Sequence, residues 1–190
     1  MTVVKFSAPF EVPGVGAQVL PAGTYVFKLV DSSTNRHIVQ VMNEDQTHIF
    51  TTILAVPNYR ARSTGETVMT FKERGEGQPE ALRTWFYPNH RMGEEFVYGK
   101  SKALALAKVV NEPVFYTTEI ASVEELKTAR IAAITPAGED VNVAEVVKPE
   151  PVEVAKLEQP TLPQTGSYLP LIACFGLLSL GTAATMKFMA

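Results

Sequence analysis

Between Thr2 and Tyr98 short runs of Val, Ile, Thr, Tyr and Phe are cut at close intervals by Gly, Pro, Asn, Asp and Ser. That punctuation leaves room for strands and hairpins but not for helices of ordinary length. The runs are Thr2–Ser7, Gly23–Asp31, Arg36–Asn43, Thr47–Val56, Thr67–Glu73, Ala81–Tyr87 and Glu94–Tyr98. They are separated by the turn-rich stretches Asp31–Asn35, Asn43–Gln46, Ser63–Glu66 and Gly75–Pro79. Within the runs the alternation is of period two: Tyr25, Phe27 and Leu29 fall on one face and Lys28 on the other. His48, Phe50, Thr52 and Leu54 oppose Ile49, Thr51 and Ile53, and the apolar character of both faces of IFTTILAV predicts a central strand. About seven such strands joined by short turns close as a small β-sandwich or an open barrel, and the sequence does not choose between them.

After the last run, SKALALAKVVN changes to helical spacing, with Ala103, Leu106, Ala107 and Val110 on one stripe, Ser101 as the expected N-cap and Pro113 as the stop. A helix of about ten residues is marginal alone, so this one is expected to dock on the β-domain. Downstream, Ile131–Thr135 and Val141–Val146 flank the turn Pro136–Asp140 and read either as a hairpin at 130–147 or as extended spacer. KPEPVEVAKLEQP, Lys148–Pro160, has no aromatic residue and buries too little to offset ordering entropy, so it reads as a stiff, solvated linker. The expected organisation is therefore a mainly β globular domain over 1–112, an acidic, proline-containing spacer over 113–161 and a separate tail over 162–190.

The net charge is −3 and no Lys/Arg face is apparent, which excludes nucleic acid as the expected partner. The single cysteine, Cys174, lies in the apolar tail, leaving the rest of the chain without a disulfide, a Cys-based metal site or a thiol nucleophile. His37, His48 and His90 are too scattered for zinc-site spacing, and no metal or cofactor is expected. His48 lies near Asp45, yet no serine has the glycine pattern of a nucleophile elbow. Glu94 and Glu95, adjacent on a strand, must point to opposite faces. Gly75-Glu76-Gly77 lacks the following helix that a phosphate cradle needs. The aromatic group Trp85, Phe86 and Tyr87, with Tyr59 and Tyr98, packs as core and rim or serves as a ligand platform; Tyr59, Trp85 and Tyr87 are the candidate ligand-facing members.

The tail carries the most specific motif. Leu162-Pro163-Gln164-Thr165-Gly166 is followed by the uncharged, apolar run Ser167–Met186 and then Lys187. As a helix rising about 1.5 Å per residue, this run would cross a bilayer core once. The arrangement resembles the LPxTG cell-wall sorting signal. The resemblance implies cleavage by a sortase-like transpeptidase between Thr165 and Gly166, and transfer of Thr165 to an amine on the cell envelope. The end, MKFMA, supplies only Lys187 where that family carries several basic residues, so the tail matches membrane insertion more fully than sortase processing.

LPAGTYVFKL, RHIVQV, PNYR and EFVY, in that order ahead of a Pro-rich spacer and an LPxT-like tail, resemble a family of uncharacterised bacterial exported proteins. That resemblance implies an export signal ahead of Met1. MTVVKFSAPFEVPG itself lacks the basic start and continuous apolar run of a signal peptide. The expectation is a non-enzymatic protein of the cell envelope, held to the membrane through its C-terminal helix, with an adhesive, structural or ligand-binding role. The alternative is an envelope-associated enzyme using the aromatic and histidine face of the β-domain.

Overall fold

The computed structural model describes residues 1–31, 37–118 and 122–147. The expected linker from Lys148, the LPQTG motif and the expected membrane span lie outside the described residues. Among the described residues no helix is long and apolar enough to cross a membrane.

The described chain is mainly β. One nine-stranded sheet contains β1 (Thr2–Phe6), β2 (Phe10–Val12), β3 (Gln18–Leu20), β4 (Gly23–Val30), β5 (His37–Asn43), β6 (Ile49–Tyr59), β7 (Val68–Lys72), β8 (Glu80–Phe86) and β9 (Met92–Phe96). Its order is β1-β4-β5-β6-β9-β8-β2-β3, with β7 also paired to β8. The pairings are antiparallel except β2 on β8, which is parallel.

The sheet curls. Phe6 on β1 meets Phe71 on β7 edge to face at 6.2 Å, although β1 begins the pairing path and β7 joins it only at β8, five strands away. Register shifts at Val41/Met42 and Thr70/Phe71 supply local twist of the kind that bends a sheet. The concave side holds an aromatic core of Phe6, Phe10, Tyr25, Phe27, Trp85 and Phe96 with aliphatic neighbours. The β2–β3 connection is pinned onto β6 by the Val15–Thr52 bridge and by Thr51 Oγ1 donating to the Pro13 carbonyl at 2.6 Å. Gly14, at φ +96°, is required there, because a Cβ would lie 2.3 Å from the Thr52 oxygen.

A second, four-stranded sheet contains β10 (Tyr98–Gly99), β11 (Val114–Thr117), β12 (Ile131–Ile134) and β13 (Asp140–Val141). β10 and β11 are parallel, and α1 (Lys100–Val110) is the crossover that a parallel pair requires. The helix buries Ala103, Leu106 and Ala107 as its spacing predicts, with Val110 partly buried beside them. Its N-cap is Gly99, so Ser101 lies inside the helix instead of capping it.

Two short helices, α2 (Val123–Leu126) and α3 (Val143–Val146), complete the layer. Phe115, Leu126 and Ala133 pack on Ile38, Leu54, Val56 and Val97 to form a second core. This corrects the expected domain limits: the described residues 114–118 and 122–147 belong to the folded unit, and no spacer begins at 113. The hairpin at 130–147 forms, but its second arm is only Asp140–Val141, and Val143–Val146 is helical. Asn142 explains that change, since its side chain accepts from the Ala144 N–H and caps the turn.

Candidate functional site

β8 and β9 pair Thr84 with Glu95, Trp85 with Glu94 and Phe86 with Gly93. Their close approach depends on Gly93, where a Cβ would sit 2.5 Å from Phe86 Cδ1 and 2.6 Å from the Trp85 oxygen. Because side chains alternate across the pleat, the two neighbouring glutamates separate, Glu94 to the concave face and Glu95 to the convex one.

On the concave face Glu94 is 1% exposed. It accepts the Tyr87 hydroxyl at 2.6 Å, and His37 Nδ1 lies 2.9 and 2.8 Å from its two oxygens. A carboxylate in its ionised form only accepts, so a hydrogen bond to it here would come from a proton on Nδ1. Burial, followed by the hydrogen bond to Glu94 and its charge, pushes the Tyr87 hydroxyl far above its ordinary value. It therefore remains a donor at neutral pH. Trp85 packs between Tyr87, at 4.8 Å, and Phe27, at 5.9 Å, with its indole N–H buried and unpartnered. A carboxylate that orients an imidazole is the elementary arrangement for proton transfer, but both oxygens of Glu94 are already engaged.

On the convex face Glu95 accepts from Asn58 Nδ2 at 2.6 Å and from Arg83 Nε at 3.3 Å. Arg83 Nη1 also reaches Glu112 at 3.1 Å. Lys72, 3% exposed, has no hydrogen-bond partner for its ammonium. Burial first and the Arg83 guanidinium second lower its pKa to about 8, against the upward pull of Glu95 and Glu112. Here the two sheets leave a cleft of about 550 Å³, lined by Asn58, Tyr59, Arg83, Glu95, Glu112 and Val146 among others. A smaller cavity, about 330 Å³, lies at the start of α1, where Glu11 is held by Arg74 at 2.7 Å and Lys102 at 2.8 Å.

The three aromatic candidates do not share a platform. Tyr59 lines the cleft, whereas Trp85 is fully buried and meets half-buried Tyr87 edge to face over the concave core. Phe86 lines the cleft but lies beneath the Arg60 guanidinium at 5.1 Å. His48 packs edge-on against Phe50 at 4.8 Å beside the β5–β6 turn, and His90 lies 6.4 Å from the Tyr87 ring. Sequence reasoning passed over His37 and Lys72. Alternation offered a signal for the first, since His37 shares its face with Val39 and Val41. Lys72 carried none, because a lysine closing VMTFK reads as an exposed strand end. Among the described residues no group of three or more His, Cys, Asp or Glu is placed to hold a metal ion. Compared with known proteins, the chain matches no family model, no curated protein and no solved structure.

Proposed function

We propose that the folded unit is a non-enzymatic ligand-binding module held at the cell envelope, with the cleft between its two sheets as the ligand seat. The observation that carries the reading is that cleft of about 550 Å³, a volume typical of small-molecule sites, lined by hydrogen-bonding groups such as Asn58, Arg83 and Glu95 together with apolar residues such as Phe86, Phe115 and Val146. The tether is read from the sequence: a Pro- and Glu-rich stretch, LPQTG, and the uncharged run Ser167–Met186. The partners are the membrane and, at Thr165, a sortase-like transpeptidase.

The tether is tested by expressing the chain behind a known secretion signal and measuring membrane recovery. Arginine at Gly176 adds roughly 2.5 to 3.5 kcal/mol to insertion near the middle of a span. The unaltered chain should be retained in the membrane, while Gly176→Arg and a truncation after Gln164 should be released. Equal soluble recovery of all three removes the anchor. If the chain is retained, an amine probe with added sortase distinguishes covalent transfer at Thr165 from a plain single-span protein.

A second reading, an envelope-associated enzyme, draws on the His37–Glu94–Tyr87 group. A hydrolase screen of the purified protein that finds robust turnover, lost in His37→Ala, would favour it over the binding module.

A further inference from the structure

We propose that the ligand of the cleft is a small organic cation, an amine carried on an apolar or aromatic body; this rests on the cleft being a ligand seat. Three carboxylates and one guanidinium line it. Glu95 comes from β9, Glu112 from the link between α1 and β11, and Glu145 from α3, so elements distant in the chain converge to make the cleft acidic. Arg83 is a divided counterweight, its Nε donating to Glu95 at 3.3 Å and its Nη1 to Glu112 at 3.1 Å. Glu145 has no ion pair among the described residues. Three carboxylates against one guanidinium leave two negative charges in excess on the lining. The buried ammonium of Lys72, on which Glu95 and Glu112 act, offsets one of them at most.

The smaller cavity at the start of α1 shows the opposite balance. Its lining carboxylate, Glu11, meets both Arg74 and Lys102, at 2.7 and 2.8 Å, and no negative charge is left there for a ligand to answer. In the cleft the surplus remains, and like charges gathered beside low-dielectric walls carry a cost that a ligand of opposite sign removes.

The rest of the lining sets the body of the ligand. Tyr59, Phe86 and Phe115 present ring surface to the cleft, and the Arg60 guanidinium already rests over the Phe86 ring at 5.1 Å. Aromatic rings cover apolar carbon and attract cations at their faces. An anion of the same shape would meet the carboxylates and find only a guanidinium that is already shared.

The test is titration calorimetry on the full chain in detergent, at neutral pH and low salt, with three probes of one shape. Tyramine is the cation, tyrosol its neutral counterpart and para-hydroxyphenylacetate the anion. Tyramine should bind at least about tenfold more tightly than the anion, and added salt should narrow the gap. Combining Glu112→Gln with Glu145→Gln should weaken tyramine by about three- to tenfold and leave tyrosol unchanged. Both side chains are exposed, and Glu95 is kept because it holds Asn58 and Arg83. Thermal melts check that the double variant is folded. Tyrosol or the anion binding as tightly as tyramine overturns the cation and leaves the cleft a ligand seat. Tyramine affinity that is unchanged in the folded double variant also overturns it, by placing the amine elsewhere. No binding by any of the three removes the proposal and the ligand seat together.

Discussion

The concave core of the curled sheet and the gap between the two sheets are built on opposite faces of the same strands, and they treat charge differently. Inside, Glu94 is fully buried and both its oxygens are engaged by Tyr87 and His37. In the gap, Glu95, Arg83 and Glu112 share contacts beside an ammonium with no partner, and a cleft remains open. A satisfied buried cluster fixes a fold, whereas an incompletely satisfied one next to open volume is where a ligand can contribute. On the proposed reading, binding chemistry lies between the layers and structural chemistry in the core.

The largest expected effect comes from removing the second layer. A chain ending at Asn111 exposes Ile38, Leu54, Val56 and Val97, which β11, α2 and β12 cover. At about 1.5 to 3 kcal/mol per large apolar side chain, the loss is on the order of 5 to 10 kcal/mol, comparable to the whole stability of a domain. Thermal melts followed by circular dichroism should be cooperative for residues 1–147 and broad or absent for 1–111. If the shorter chain melts as sharply, the gap is a superficial groove and the contrast with the core fails.

Next in size is Glu94→Ala, which leaves the Tyr87 hydroxyl and His37 Nδ1 without their buried acceptor. Such a loss costs about 1 to 3 kcal/mol for each donor left unsatisfied, and Glu95→Ala should cost no more than about 2 kcal/mol in all, since its partners face the open cleft. Urea midpoints of the two variants measure the contrast directly. Equal losses would mean that the two faces hold their carboxylates alike.

Smaller, and opposite in sign, is Lys72→Met. The folded amine titrates near 8 and the unfolded one near 10.5. Below pH 8 both states are protonated and the burial penalty is fully present. Between pH 8 and 10.5 the folded state binds fewer protons, so the stability of the unaltered protein rises with pH. Replacing the amine should therefore stabilise the protein at pH 7 by on the order of 2 to 3 kcal/mol, and the gain should fade by about pH 10.5. Chemical denaturation at several pH values tests this; a gain that grows with pH contradicts a depressed amine.

Much of the curled sheet was legible in the sequence because it is made from local signals. Each of the expected runs from Thr2–Ser7 to Glu94–Tyr98 contains or overlaps an observed strand, displaced by a few residues at its ends. Two strands escaped notice, β2 and β3. Each has three residues, β2 between Pro9 and Pro13 and β3 between Gly16 and Pro21, and such short pieces show no period. They exist because β2 finds β8 in parallel and Leu20, Phe10 and Val12 seal the concave core, which are long-range contacts. The spacer expected from 113 failed for the same reason. Val114, Phe115 and Ile134 carry little pattern in a short window, and their burial depends on surfaces far away in the chain.

The sequence by itself determined that the described chain is mainly β, that a helix forms within SKALALAKVVN with Ala103, Leu106 and Ala107 inward, and that Glu94 and Glu95 part to opposite faces. Each follows from a period of two or of 3.6, which the backbone imposes wherever the segment ends up. Only the tertiary structure decided that His37 meets Glu94 across 57 positions, that Lys72 loses solvent without gaining a partner, and that a cleft opens beside Glu95. Those outcomes depend on which strands become neighbours and how far the sheet curls. Burial and charge act through space, and no periodicity along the chain records that distance.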